Sequence, residues 1–229
     1  RALETQVRTR PRNRVRPRLE WHPALALRFA WTVISAGVVE SLVFGLSIEQ
    51  AVFFFELLLR FDYPNRFVMV TVLSVMFILD YLVFAFWLMV LSALSTKLTG
   101  WRTPPNMEMR IAALEWPLLN WARYMVSVHI VRLFAGSLLR TTPLWTMYLR
   151  LNGARLGKGV YINSLKVNDH NLLEFDDYVL IGDGVHLSGH TAERGLVRTA
   201  PVRLGRGVMI GLGSVIGIGV EAGPGCQVG

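Results

Sequence analysis

With 229 residues, of which 52% are hydrophobic and only 17% charged, the chain is too apolar for an ordinary soluble domain, and a bilayer accounts for the excess better than an oversized core. The net charge of +8 would suit nucleic acid. However, Arg8, Arg10, Arg12, Arg14, Arg16 and Arg18 crowd ahead of the first apolar stretch, with no interleaved aromatics on which bases could stack, so that class is set aside. The single Cys226 excludes an internal disulfide and a cysteine metal motif, and it reads as a small buried filler.

Residues 1–22 form a basic flank, and residues 23–100 carry two long apolar runs. The first, Phe29 to Leu59, is interrupted by Glu40, Glu49, Gln50 and Glu56; the second, Phe67 to Leu98, holds only Asp80 before Lys97. Between them lies a turn with Pro64 and Asn65 as breakers. About 20 residues suffice to cross a hydrocarbon core, so each run is long enough to span, and together they predict a transmembrane hairpin. A signal peptide is excluded by the length of the first run and by the second run behind it. Lys and Arg concentrate before the first span and, as Lys97, Arg102 and Arg110, after the second, which places both ends in the cytoplasm. Asp80 in mid-span admits a proton or substrate path involving Glu40, or simply a hydrogen-bonded group at a helix interface.

Gly100, Pro104 and Pro105 stop the second helix. Residues 101–151 then alternate apolar clusters with arginines and carry Trp116, Trp121 and Trp145, a pattern that predicts amphipathic helices in the membrane surface with aromatics at headgroup level. His129, inside an apolar run, reads as a packed or interfacial residue rather than a ligand.

From residue 152 to 229 glycine rises and an aliphatic residue recurs every six positions, as in Leu204-Gly205, Ile210-Gly211, Ile216-Gly217, Ala222-Gly223 and Val228-Gly229. Phe175, Ile181 and Leu187 form an earlier run, and Leu156 and Ile162 the first pair. This spacing predicts a parallel β-helix in which three six-residue sides make one coil and the aliphatic residues stack inward. Val228 and Gly229 read as the start of another repeat, so the domain is expected to continue beyond the last residue given. The register slips between Leu187 and Leu204, seventeen positions apart, and the intervening polar segment with His190 is where function is expected.

Ile181-Gly182-Asp183-Gly184, Gly189-His190-Thr191, Val202-Arg203-Leu204-Gly205 and Ile210-Gly211 resemble hexapeptide-repeat acyltransferases, which carry a histidine on such a loop. Together with the helical hairpin, the segment Leu149-Arg150-Leu151-Asn152-Gly153-Ala154-Arg155-Leu156-Gly157 and the pair His190/Glu193, the chain is similar from Ala24 to Gly229 to the C-terminal membrane region of ε-poly-lysine synthetases and related nonribosomal peptide synthetase-like proteins. The resemblance implies a membrane hairpin plus a left-handed parallel β-helix at the cytosolic face of the inner membrane. It also implies transfer of an acyl or aminoacyl group from a coenzyme A or phosphopantetheinyl thioester to an amine or hydroxyl, with no tightly bound cofactor. The active unit would be a homotrimer or a tandem pseudo-trimer, with the groove between adjacent β-helices.

Histidine titrates near neutrality and can take the proton of an attacking acceptor, which makes His190 the candidate general base, with Glu193 or Asp169 to hold its ring. Asp169, His170, Glu174 and Arg194 are the candidate substrate-binding residues. Two other classes compete. His170, His186 and His190 could ligate a metal, as in β-helix carbonic anhydrases, although His186 should project outward at a corner. Alternatively the domain is a membrane-tethered scaffold without catalysis, in which His190 is dispensable.

Overall fold

The computed structural model describes residues 22–229; the arginine-rich segment from Arg8 to Arg18 lies outside the described residues. Two long helices open it: α1 (Pro23–Leu59, 37 residues) and α2 (Arg66–Thr99, 34 residues). Pro23 occupies the first turn of α1, where a missing amide costs nothing. The Asn65 side chain caps α2 by accepting from the Val68 amide (2.9 Å), and Gly100 ends α2 in the left-handed region at φ 72°. Their most apolar stretches have mean hydropathies of 1.8 and 2.4, long and apolar enough to cross a membrane. Each helix is about 50 Å long at 1.5 Å per residue, well beyond the ~30 Å of a hydrocarbon core. The surplus is packed: Phe84, Ala85, Leu88, Met89 and Ala93 of α2 are buried, whereas Phe67, Val70, Val75, Phe77 and Ile78 lie bare toward the hairpin turn.

After α2 the chain forms a short strand, β1 (Glu108–Arg110), and then α3 (Trp116–Val131). A π-helical turn at Arg132–Gly136 leads into α4 (Ser137–Leu139), and α5 (Pro143–Leu151) follows. Two of the three tryptophans expected at headgroup level face inward instead: Trp145 is fully buried, and the Trp121 ring packs edge-on to His190. Trp116 is exposed, as is His129. One apolar core runs unbroken from Phe84 and Leu88 of the hairpin through Val131, Trp145 and Tyr148 to Ile162, Phe175 and Leu204. The change at residue 152 is therefore one of secondary structure, with packing continuous across it.

Beyond α5 the strands are short and mostly parallel. Their order is β2 (Arg155–Leu156), β3 (Tyr161–Ile162), β4 (Leu173–Phe175), β5 (Leu180–Ile181), β6 (His186–Leu187), β7 (His190–Glu193), β8 (Leu196–Thr199), β9 (Val202–Leu204), β10 (Met209–Ile210), β11 (Val215–Ile216), β12 (Glu221–Ala222) and β13 (Gln227–Val228). Three parallel sheets result, ordered β12-β9-β4-β2, β13-β10-β5-β3 and β11-β6, and the chain visits them in rotation. Leu156, Phe175, Leu204 and Ala222 align in the first sheet, and Ile162, Ile181, Ile210 and Val228 in the second. Val167, Leu187 and Ile216 align in the third row. Burial weakens toward the end, where Val228 is exposed and so is Cys226, which is not the buried filler expected.

The seventeen-position interval between Leu187 and Leu204 turns out not to be a slipped pairing. Leu187 pairs with Ile216 and Phe175 with Leu204, each 29 positions apart, because an antiparallel hairpin (β7–β8) is inserted between them. One turn earlier, the chain bulges between Val167 and β4, with a short 3-10 segment at His170–Leu172. Both irregularities sit at the same junction, between the third row and the first, one stacked on the other. β1 adds to the hairpin to give a fourth sheet, antiparallel and ordered β1-β8-β7.

Candidate active site

The two stacked irregularities bring Asp169 and His190 together. His190 Nδ1 lies 2.6 Å from Asp169 Oδ2, and the aspartate side chain is fully buried while 18% of the histidine's remains exposed. Asp169 Oδ1 accepts from Thr103 Oγ1 (2.8 Å) and from the Trp121 indole N–H (3.2 Å), so both carboxylate oxygens are engaged. Ser188 braces the histidine: its Oγ donates to the His190 carbonyl (2.9 Å) and accepts from the His190 amide (3.3 Å). Burial pushes the Asp169 carboxyl up, but the hydrogen bond and charge of His190 and the donors Thr103 and Trp121 outweigh it and hold the group below the ordinary carboxylate range. A carboxylate on Nδ1 fixes the proton there and leaves Nε2 as the lone-pair nitrogen on the side that reaches solvent.

The backbone makes this contact possible in two places. Asp169 adopts φ 54°, a left-handed conformation that Asp tolerates better than most residues. Gly189 lets the strand carrying His190 come close: a Cβ there would lie 2.9 Å from Leu172 Cδ1 and 3.0 Å from Asp169 Cβ.

Every residue of Asn168–Asn171 is held from outside the sheets. Arg132, aimed by the π turn, donates to Asn168 Oδ1 (2.6 Å), and Tyr124 Oη accepts from the His170 amide (3.2 Å). Asn171 brackets Thr103, accepting from its amide (3.2 Å) and donating to its carbonyl (2.8 Å). Thus α3, its π-helical continuation and the segment after α2 form the mould in which the acidic bulge sets.

The predicted site residues separate accordingly. Asp169 and His190 meet, with Asp169 acting on the ring and fully enclosed. Glu193 is exposed at the far end of β7, paired with Leu196, so it is Asp169 that holds the imidazole. Arg194 is exposed in the tight turn of the same hairpin at φ 52°. His170 is fully buried between Tyr124 and Tyr148 with Nε2 against the Val167 carbonyl (3.2 Å), closed off from solvent. Burial, aided by the Arg132 charge, pulls its pKa down to about 4. Glu174 lies on the outer face of the first sheet, in a ladder with Arg155 (3.2 Å) and Arg203 (2.9 Å), and Arg203 pairs onward with Glu221. His186 is exposed on β6, and no cluster of three metal-ligating side chains forms among the described residues. Of the two apolar-run carboxyls, Glu40 takes its hydrogen bond from Ser127, while Asp80 Oδ1 has no partner among the described residues.

Sequence reasoning missed Thr103, Trp121, Ser188 and Gly189. Trp121 carried a signal, but an aromatic near a membrane span reads first as an interfacial anchor. Compared with protein-family models, with curated proteins and with solved structures, the chain matches none.

Proposed function

We propose that the chain is a membrane-bound acyltransferase in which His190 is the general base. The observation that carries this reading is the buried, fully hydrogen-bonded Asp169 on Nδ1 of a histidine whose ring is still partly exposed. Such a carboxylate stabilises the imidazolium that forms when Nε2 takes a proton. An amine or hydroxyl acceptor would attack the carbonyl of a thioester as Nε2 removes its proton. The carbon–sulfur bond then breaks, and the thiolate leaves with that proton, giving an amide or ester and a free thiol. Coenzyme A or a phosphopantetheinyl arm fits the donor role, in keeping with the resemblance to poly-lysine synthetases.

On this reading the three sheets form a left-handed parallel β-helix, and the hairpin crosses the inner membrane twice with the sheets in the cytosol. Supporting the topology, the sheets pack at the end of the hairpin where α1 begins and α2 stops, as the Thr96–Asn152 hydrogen bond (3.3 Å) illustrates. That is also the end flanked by arginines in the sequence. A second copy, or a further unit in tandem, would complete the groove. The outer face of the second sheet offers a surface for it, since Tyr161, Leu180 and Met209 align there, all exposed. The same apolar row favours the second reading, in which the sheets serve as an assembly scaffold without catalysis.

The test is transfer by the whole chain reconstituted in nanodiscs, followed by thiol release from an acyl or aminoacyl thioester. His190→Gln should lower the rate by about 10²–10⁴-fold, and Asp169→Asn should come close to it without loss of folding. Parent-level transfer by His190→Gln would remove the catalytic reading and leave the scaffold.

A further inference from the structure

Where α2 stops, a cavity of ≈330 Å³ opens between the end of that helix, the end of α5 and the bulge before β4. Its neutral polar side chains are already matched: Thr96 bonds to Asn152 (3.3 Å), and the Asn171 amide is spent on the Thr103 backbone. Lys97 and Arg102 line it too. Both are exposed, and neither forms an ion pair among the described residues. No aspartate or glutamate lines the cavity.

A third cation stands close behind. Trp101 is a wall of the cavity, and the Arg123 guanidinium lies over its ring (5.6 Å). Arg123 is 4% exposed and has no carboxylate partner among the described residues; its Nη1 donates to the neutral Asn120 side chain (2.9 Å). It also lies over Trp116 (5.8 Å), which Arg28 of α1 covers in turn (6.0 Å). Arg123 is enclosed and meets no ligand itself. Its charge is felt at the cavity all the same, because little water screens it there.

The level of the cavity decides which anion it meets. Leu98, next to Lys97, is 78% exposed, and Leu27 near the start of α1 is 72% exposed, so bare apolar side chains reach this end of the hairpin. Lipid headgroups begin where such side chains give out and Trp, Lys and Arg take over. We propose that the cavity seats the phosphate of an anionic phospholipid between Lys97 and Arg102. Leu94 and Leu98, four residues apart and both exposed, offer a face of α2 beside Lys97 to its acyl chains. A basic residue at an anionic membrane surface is worth roughly fivefold in affinity. The seat rests on reading α1 and α2 as a membrane hairpin, and not on acyl transfer.

Lipid binding to the full chain in neutral-detergent micelles tests it, with phosphatidylglycerol and phosphatidylcholine titrated separately and bound lipid counted by native mass spectrometry. The first phosphatidylglycerol should bind at least tenfold more tightly than phosphatidylcholine. Lys97→Gln combined with Arg102→Gln should weaken it tenfold or more, with an unchanged melting temperature, since both side chains are exposed. Lys158→Gln combined with Lys166→Gln removes the same charge from exposed positions between the strands and should leave binding within about twofold. Equal affinity for the two lipids, or equal losses in the two double variants, would overturn the proposal. So would displacement of the lipid by an equal concentration of coenzyme A, which would give the cavity to a soluble phosphate. If the chain still needs detergent to stay dispersed after such a result, the seat falls and the hairpin stands.

Discussion

Gly189 is the residue at which the smallest change should have the largest chemical effect. A methyl group there collides with Leu172 and Asp169 at about the closest approach real side chains tolerate. Relief must come from separating the strand that carries His190 from the bulge that carries Asp169. Gly189→Ala is expected to cost about 1–3 kcal/mol by overpacking and to lower transfer at least tenfold, read by thermal melting alongside the rate. Acid should act on the two neighbours in separate windows. His170 is neutral when folded, with a pKa near 4, so the unfolded chain takes up a proton between about pH 6.5 and 4 that the folded one does not. Stability falls by about 3 kcal/mol as the pH drops through that window. His170→Phe should flatten that slope in urea midpoints measured from pH 7 to 4. Asp169 acts with the same sign at lower pH: its folded pKa lies below the ordinary value, so its contribution is whole above pH ~4 and disappears only below it.

The hairpin β7–β8 carries the histidine at its base and Glu193 and Arg194 at its tip. Only the base touches Asp169. Glu193→Gln and Arg194→Gln should leave transfer within about twofold of the parent, since among the described residues neither side chain forms an ion pair and both sit at the end of the hairpin away from the imidazole. A tenfold loss in either would mean that the tip meets the acceptor. β1 anchors the same hairpin through Met109, which is buried with Leu118 and Val197. Met109→Ala should cost about 2–5 kcal/mol by leaving a cavity. The helices and the repeat spacing were legible in sequence because each rests on periodicity: long apolar runs bounded by Asn65 and Gly100, and an aliphatic residue at every sixth position. The location of His190 was legible as a break in that period. The identity of its partner was not, because Asp169 comes from another turn and depends on two insertions stacking at one junction. Thr103 and Trp121 depend on where α2 and α3 pack, which no local pattern encodes. His170 and Glu174 stand apart from the pair for the same reason: residues near Asp169 in sequence point elsewhere once the bulge is set.

For the whole molecule, the single exposed Cys226 reports which side of the membrane the sheets occupy. In intact cells it should resist a membrane-impermeant maleimide and react once the membrane is opened. With Cys226→Ser and Asn65→Cys the outcome should invert, because Asn65 lies at the opposite end of the hairpin. Labelling of Cys226 from outside would reverse the proposed topology. The unbroken core from Phe84 to Leu204 has a further consequence for anyone who divides the protein. A fragment beginning at residue 152 would keep the three parallel sheets but lose β1 and the Thr103 and Trp121 donors to Asp169, along with the Trp145 and Tyr148 rings that seal its inner surface. The severed aspartate would face water, its grip on the imidazole would loosen, and a purified soluble piece would report feeble chemistry that belongs to the cut and not to the intact protein.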